Sequence, residues 1–266
     1  MQASDPWRVV VFTGGPELQP DVLDFIRRLE EKEGIEVGGV FCETELQGFR
    51  GVVADLWARR RLMAIPLLLQ RWLRKIGRGI FQPRRSAARR RTAALIAPRL
   101  QYATHLHSPS LRAQIRDLEP DLGLVYGGPI IRPELFELPR HGTLGIHHGL
   151  TPAYRGKKTT FWAMYNGENF VGVTIQTIGR GLDRGDIVAE AMLPVGRAPL
   201  PVVSARLQRL GLELYMHAID EVMRGQAEYR PQSSGSGILY RDPSAADVLR
   251  FWTRYVSALL RRRDRP

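Results

Sequence analysis

Cysteine is almost missing from this 266-residue chain, since Cys42 stands alone. One thiol closes no disulfide within the chain, so a disulfide framework is excluded and a reducing, cytoplasmic setting is expected. Cys42 itself reads as a small buried hydrophobe at a strand end. Long hydrophobic runs are missing too. The longest, Met63 to Leu69, contains Pro66 and falls well short of the ~20 apolar residues that cross a bilayer. The opening MQASDPW has neither the basic nor the apolar stretch of a signal peptide. There is no cysteine and histidine ligand set for zinc, no G-x-G-x-x-G turn, no phosphate-binding loop and no serine elbow. A site without metal is therefore expected.

Acidic residues are what one segment lacks. The chain carries a net charge of +12, yet from Glu45 to Leu100 fourteen basic residues, thirteen of them Arg, face only Glu45 and Asp55. The other 210 residues carry 25 basic and 25 acidic side chains. The excess belongs to a segment, not to the fold. Val53, Leu56, Trp57, Leu62, Leu67, Leu68, Trp72, Leu73 and Ile76 recur there at helical spacing among arginines, with Pro66 set to break the helix. We expect an Arg-rich helical insertion over about 45–100. Two roles stay open for it. It is either a solvated face packed on the domain, or a surface over residues 50–91 that meets an acidic partner or an anionic membrane. No RNA-binding module accompanies the charge, so no specific nucleic acid partner is expected.

Around that segment, strands alternate with helices. Arg8 to Thr13 is a β-branched run ended by Gly14-Gly15, Asp21 to Lys32 is amphipathic, and Gly34 to Phe41 reads as a strand. This is a βαβ unit, which implies a parallel sheet. A helix over Ser108 to Asp117 follows. Strands are then expected at 120–128, 142–147, 171–178 and 187–195, with a long helix from Pro201 to Arg224 and another from Asp247 to Arg263. The expected class is α/β, a Rossmann-like open, mostly parallel sheet with flanking helices. Residues 1–200 form the α/β domain, and 201–266 form C-terminal helices and a tail. The last helix packs on the domain, forms a homodimer seam or meets an acidic surface.

Chemistry concentrates between residues 141 and 190. His147 and His148 close a strand, and in open α/β sheets ligands bind at the carboxyl ends of strands. Gly149, Pro152, Arg155 and Gly156 follow. A second cluster, Gly179-Arg-Gly-Leu-Asp-Arg-Gly-Asp186, is a tight glycine loop presenting Asp183 and Asp186. Its carboxylates are too few for a dedicated calcium site.

These clusters stand 36 residues apart in a text that resembles the folate-dependent formyltransferases, a family with glycinamide-ribonucleotide, methionyl-tRNA and amino-sugar members. The resemblance is carried by Ile146-His147, Pro152-Ala-Tyr-Arg-Gly156, Trp162-Ala-Met-Tyr-Asn-Gly167, Gly172-Val-Thr-Ile175 and Gly181-Leu-Asp-Arg-Gly-Asp-Ile187. It covers residues 105 to 195 well and the first βαβ unit weakly. It implies the formyltransferase fold, 10-formyltetrahydrofolate as donor and a small-molecule amine as acceptor. It also implies His147 as general acid/base with Asp183 orienting it. The pterin would lie between Pro129, Ile130 and Ile131 on one side and Gly179, Arg180, Gly181 and Leu182 on the other.

Two positions depart from the family. Its catalytic asparagine, two residues before the histidine, is Gly145 here, and its usual serine two residues after is Gly149. Loss of one oxyanion donor costs about 10²–10³ in rate. His148 or Thr143 supplies the donor, the enzyme uses another acyl donor or water as acceptor, or the domain binds without turnover. After Tyr229 too few residues remain for the β-barrel domain of the tRNA-acting members.

Overall fold

The computed structural model describes residues 5–44, 83–233 and 237–261. Most of the expected basic insertion, including Met63 to Leu69 and the acid-facing surface over 50–82, lies outside the described residues.

The chain opens with strand β1 (Trp7–Gly14), helix α1 (Pro20–Glu30) and strand β2 (Ile35–Glu43). Helix α1 starts on a proline whose fixed φ suits the first turn, and Asp21 sits where the helix dipole favours acid. Its buried Val22, Phe25, Ile26 and Leu29 recur at the 3-and-4 spacing of one helical face. Helix α2 (Pro83–Ile96), a short 3₁₀ turn (Ala97–Arg99) and strand β3 (Leu100–Ala103) come next. The part of the expected insertion from Pro83 onward is therefore the helical crossover from β2 to β3, and Leu100 opens a strand. Arg89 of α2 donates to the Asp24 carboxylate of α1 at 2.7 Å, so one of its arginines is spent on the fold. Arg90 and Arg91 face solvent.

Helix α3 (Pro109–Asp117), strand β4 (Leu122–Val125), the single turn α4 (Pro133–Phe136) and strand β5 (Thr143–His147) continue the alternation. A short strand β6 (Tyr154–Gly156), helix α5 (Thr159–Tyr165) and strands β7 (Phe170–Thr177) and β8 (Ile187–Pro194) follow. The chain closes with helix α6 (Leu200–Met223), strand β9 (Ile238–Tyr240) and helix α7 (Ala245–Arg261).

Seven strands form one sheet in the order β3-β2-β1-β4-β5-β7-β8, parallel from β3 through β5. Strand β7 runs antiparallel to both its neighbours. Both faces are covered. Val9 and Val11 join one core cluster and Val10 and Phe12 the other, as the two-residue period of a strand requires. Helices α1 and α6 cover the first face, α3 and α4 the second.

The boundary expected at residue 200 does not divide this core. Leu212, Tyr215, Ala218, Ile219 and Val222 of α6 share a cluster with β1 and β4. The Tyr215 hydroxyl donates to the Leu144 carbonyl at 2.8 Å and so fixes α6 to β5. Helix α7 packs inward as well, with Phe251 buried 5.0 Å from the Phe161 ring of α5. No helix among the described residues is long and apolar enough to cross a membrane.

Candidate active site

The pairing of β4 with β5 ends at Val125 opposite Gly145. Strand β5 runs two residues further, so His147 projects past its parallel neighbour at the carboxyl end of the sheet. The imidazole is buried, with its Nε2 2.7 Å from the Tyr154 carbonyl oxygen. A carbonyl only accepts, so Nε2 carries a hydrogen and donates. This leaves Nδ1, which faces Asp183 Oδ1 at 3.6 Å. That gap is too long for a direct hydrogen bond and close enough for a strong charge interaction once the ring is protonated.

Asp183 reaches this place from the loop between β7 and β8. Its backbone is left-handed, φ 51°, a conformation that aspartate tolerates better than most side chains. The loop is cinched at its base. Thr177 and Asp186 exchange hydrogen bonds, and a Cβ on Gly185 would collide with the Thr177 carbonyl. The carboxylate is held on both oxygens. The Gly156 N–H donates to Oδ2 at 2.8 Å and Gln176 Nε2 lies 3.4 Å from Oδ1.

Gly145 and His147 point to the same face of β5, being two residues apart. The space a side chain at 145 would take is filled: a Cβ there would stand 2.5 Å from Cδ1 of Ile178. An apolar side chain therefore fills the space that a side chain at 145 would need. Gly149 is equally constrained. A Cβ on it would stand 2.5 Å from the Tyr154 carbonyl oxygen and 2.7 Å from His147 Nε2, so its lack of a side chain permits the bond between them. Thr143, the other expected donor, gives its hydroxyl to the Phe136 carbonyl at 2.9 Å.

His148 parts company with His147. Its Nε2 is sealed from solvent and lies toward Gly211 of α6, without a hydrogen-bond partner among the described residues. Burial, helped by the neighbouring His147, pushes it down to about 4. The ring is neutral at pH 7 and faces away from the Asp183 pair, so the structure does not bring it into the oxyanion position. It has a stability consequence. An unfolded histidine binds its proton near pH 6.5 and the folded one only near 4, so protonation favours unfolding between those values. At pH 5 this costs about 2 kcal/mol relative to pH 7. Denaturant melts of wild type and His148→Leu at pH 7, 6 and 5 should show the wild type losing that much more than the variant.

Of the expected donor-pocket residues, Ile131 is buried in the second core cluster, against which Ile178 also packs. Pro129 is partly exposed, as is Gly179. Ile130, Arg180, Gly181 and Leu182 face solvent. The two segments thus share a wall through Ile178, with exposed apolar side chains at its rim. Tyr154, Gln176 and Ile178 were not singled out as site residues from the sequence. Tyr154 and Gly156 act through backbone groups, which no residue type announces. Among the described residues no group of three or more acidic, histidine or cysteine side chains is set to hold a metal.

A five-strand parallel core with a histidine and an aspartate meeting at its carboxyl end is a Rossmann-like arrangement. The family model described as formyl transferase matches residues 79–219, more than half of the chain, and the chain belongs to that family. The methionyl-tRNA formyltransferase of Chloroflexus aggregans is 36% identical over 159 residues, covering 59% of this chain and 51% of that protein. The chain spans about half the length of such relatives. Among solved structures, glycinamide ribonucleotide transformylase 1 from Symbiobacterium toebii superposes with a TM-score of 0.58 at 15% identity, over 87% of this chain and 96% of that one. HypX from Aquifex aeolicus, solved with tetrahydrofolic acid, gives 0.53 at 17% identity over 93% of this chain and 34% of its own. These two likenesses establish the fold.

Proposed function

We propose that the chain transfers a formyl group from 10-formyltetrahydrofolate to the amine of a small molecule such as an amino sugar. The observation that carries this reading is the buried His147–Asp183 pair at the end of β5, within a chain of the formyl transferase family. The donor is a substrate whose bicyclic ring fits the chemistry of the neighbouring wall. Ile130 and Leu182 offer exposed apolar surface beside the partly buried Ile178, while the glycine loop 179–181 leaves backbone groups open to a ring edge.

The residues then divide the work. As the amine nitrogen bonds to the formyl carbon, it must shed a proton, and the bond from that carbon to the folate nitrogen must break. His147 takes the proton and returns it to the departing folate nitrogen. With Nε2–H committed to the Tyr154 carbonyl, the mobile proton sits on Nδ1, where the Asp183 carboxylate stabilises the charged ring. The Tyr154 carbonyl and the two donors on Asp183 hold both groups in place before substrate arrives.

Titration of the purified protein with 5-formyltetrahydrofolate tests the donor assignment. Saturable binding and a raised melting temperature are expected, and no binding would count against it. Product analysis of turnover with and without amino sugars separates transfer from hydrolysis. Formylated amine supports the reading, while release of formate alone favours water as the acceptor.

A further inference from the structure

Asp183 is tied to a part of the chain that the family model does not reach. A carboxylate offers only acceptors, so Gln176 must turn its Nε2 toward Oδ1, at 3.4 Å. That leaves the Gln176 Oε1 facing the other way, and it accepts from Gln232 Nε2 at 2.8 Å. The second hydrogen of Gln232 Nε2 goes to the Gly185 carbonyl in the Asp183 loop, at 2.7 Å. Each amide orientation follows from the one before, and the carboxylate sets the direction of the whole chain. Gln176 is buried, so no water can stand in for its partners cheaply. Gln232 is placed by a two-way backbone pairing of Arg230 with Ile187, at 2.8 and 2.9 Å, at the start of β8. It lies beyond residue 219, where the family match ends.

We propose that Gln176 and Gln232 are positioning residues, an amide relay by which the segment after α6 fixes the rotation of Asp183 against His147. The inference rests on the proposed acid–base role of that pair. The Gly156 N–H holds one carboxylate oxygen and the relay holds the other, so removing the relay frees the carboxylate to swing about its remaining bond.

The test uses the whole protein with Gln232→Glu, Gln232→Ala, Gln176→Met and the Q176M/Q232A double variant. Glutamate at 232 keeps the shape but can only accept, so it opposes the direction of the relay. Gln176→Met, which loses a hydrogen bond to a charged group, should lower kcat about 10- to 100-fold, and the Gln232 variants, which lose the support of that bond, should lower it about 10-fold. KM for the folate donor should stay within about threefold, and the double variant should be no worse than the worse single, because one relay is broken once. Wild-type kcat in Gln232→Glu, or additive losses, would overturn the proposal. Amide exchange of Gly156 in the unliganded protein reads the same relay without any turnover. It should quicken in Gln232→Glu and in Gln176→Met while core amides of β1 and β4 stay protected. Unchanged exchange would refute the relay even if formyl transfer is confirmed. Faster exchange in a protein that transfers no formyl group would uphold the relay and reject only the reaction.

Discussion

His147→Asn is expected to lower kcat for formyl transfer by about 10²–10⁴, the usual contribution of a positioned acid–base group. Asparagine is small enough for the site and keeps a donor within reach of the Tyr154 carbonyl, so the loop after β5 should hold. Asp183→Asn should cost about 10²-fold or more for a separate reason. A carboxylate accepts from both Gly156 and Gln176, whereas an amide has one oxygen to offer and must set its NH₂ against one of those donors. The variant therefore loses the charge that stabilises protonated His147 and disturbs the donors that aim it. Single-turnover formation of formylated amine measures the chemical step, and folate-analogue titration measures binding. A fall in the first with the second unchanged is the expected pattern. Both variants turning over at the wild-type rate would place the chemistry elsewhere, and loss of binding alone would mean that the pair shapes the donor pocket.

Much of the framework behind this pair was legible because it is written in side-chain periodicity. The β-branched run at β1 and the 3-and-4 spacing of α1 bury large apolar areas, and burial of that kind leaves a repeating trace. Strands β3, β6 and β9 are only three or four residues long, too short for a repeating pattern, so main-chain bonds define them more than any periodicity does. The periodicity of α6 gave its extent closely but not its partner. An apolar helical face shows that something covers it, and only the fold shows that β7, β8 and α1 do so.

The site divides in the same way. His147 and Asp183 stood out because their side chains are the chemistry. Gln176 looked like any residue of an alternating strand, and its role depends on which loop folds back over it. His148 drew notice beside His147, yet consecutive residues leaving a strand point in opposite directions, and its ring ended beneath α6. Gly145 read as a missing donor. The structure sharpens that reading: Ile178 occupies the space a side chain at 145 would need, so the two positions are coupled.

That coupling makes the last prediction specific. Gly145→Asn alone should fail, because its Cβ would enter at 2.5 Å from Ile178 Cδ1, in a wall continuous with Val125 and Ile131. Overpacking of this kind costs about 1–3 kcal/mol, read as a lowered urea midpoint with little gain in rate. Ile178→Ala alone should lose stability by opening a small cavity, and the rate should change little because no donor is added. The G145N/I178A pair relieves the clash and sets an amide on the face of β5 that carries His147. If the oxyanion lacks a donor in the wild type, the pair should raise kcat by about 10²-fold, the lower end of what one such donor contributes. The excess over the two single effects is the quantity to measure, since only the combined change supplies both the amide and its room. A pair that folds, binds the folate analogue and still turns over at the wild-type rate would show that the charge is already met by another group. The backbone N–H groups of the loop after β5 would then be the next to examine.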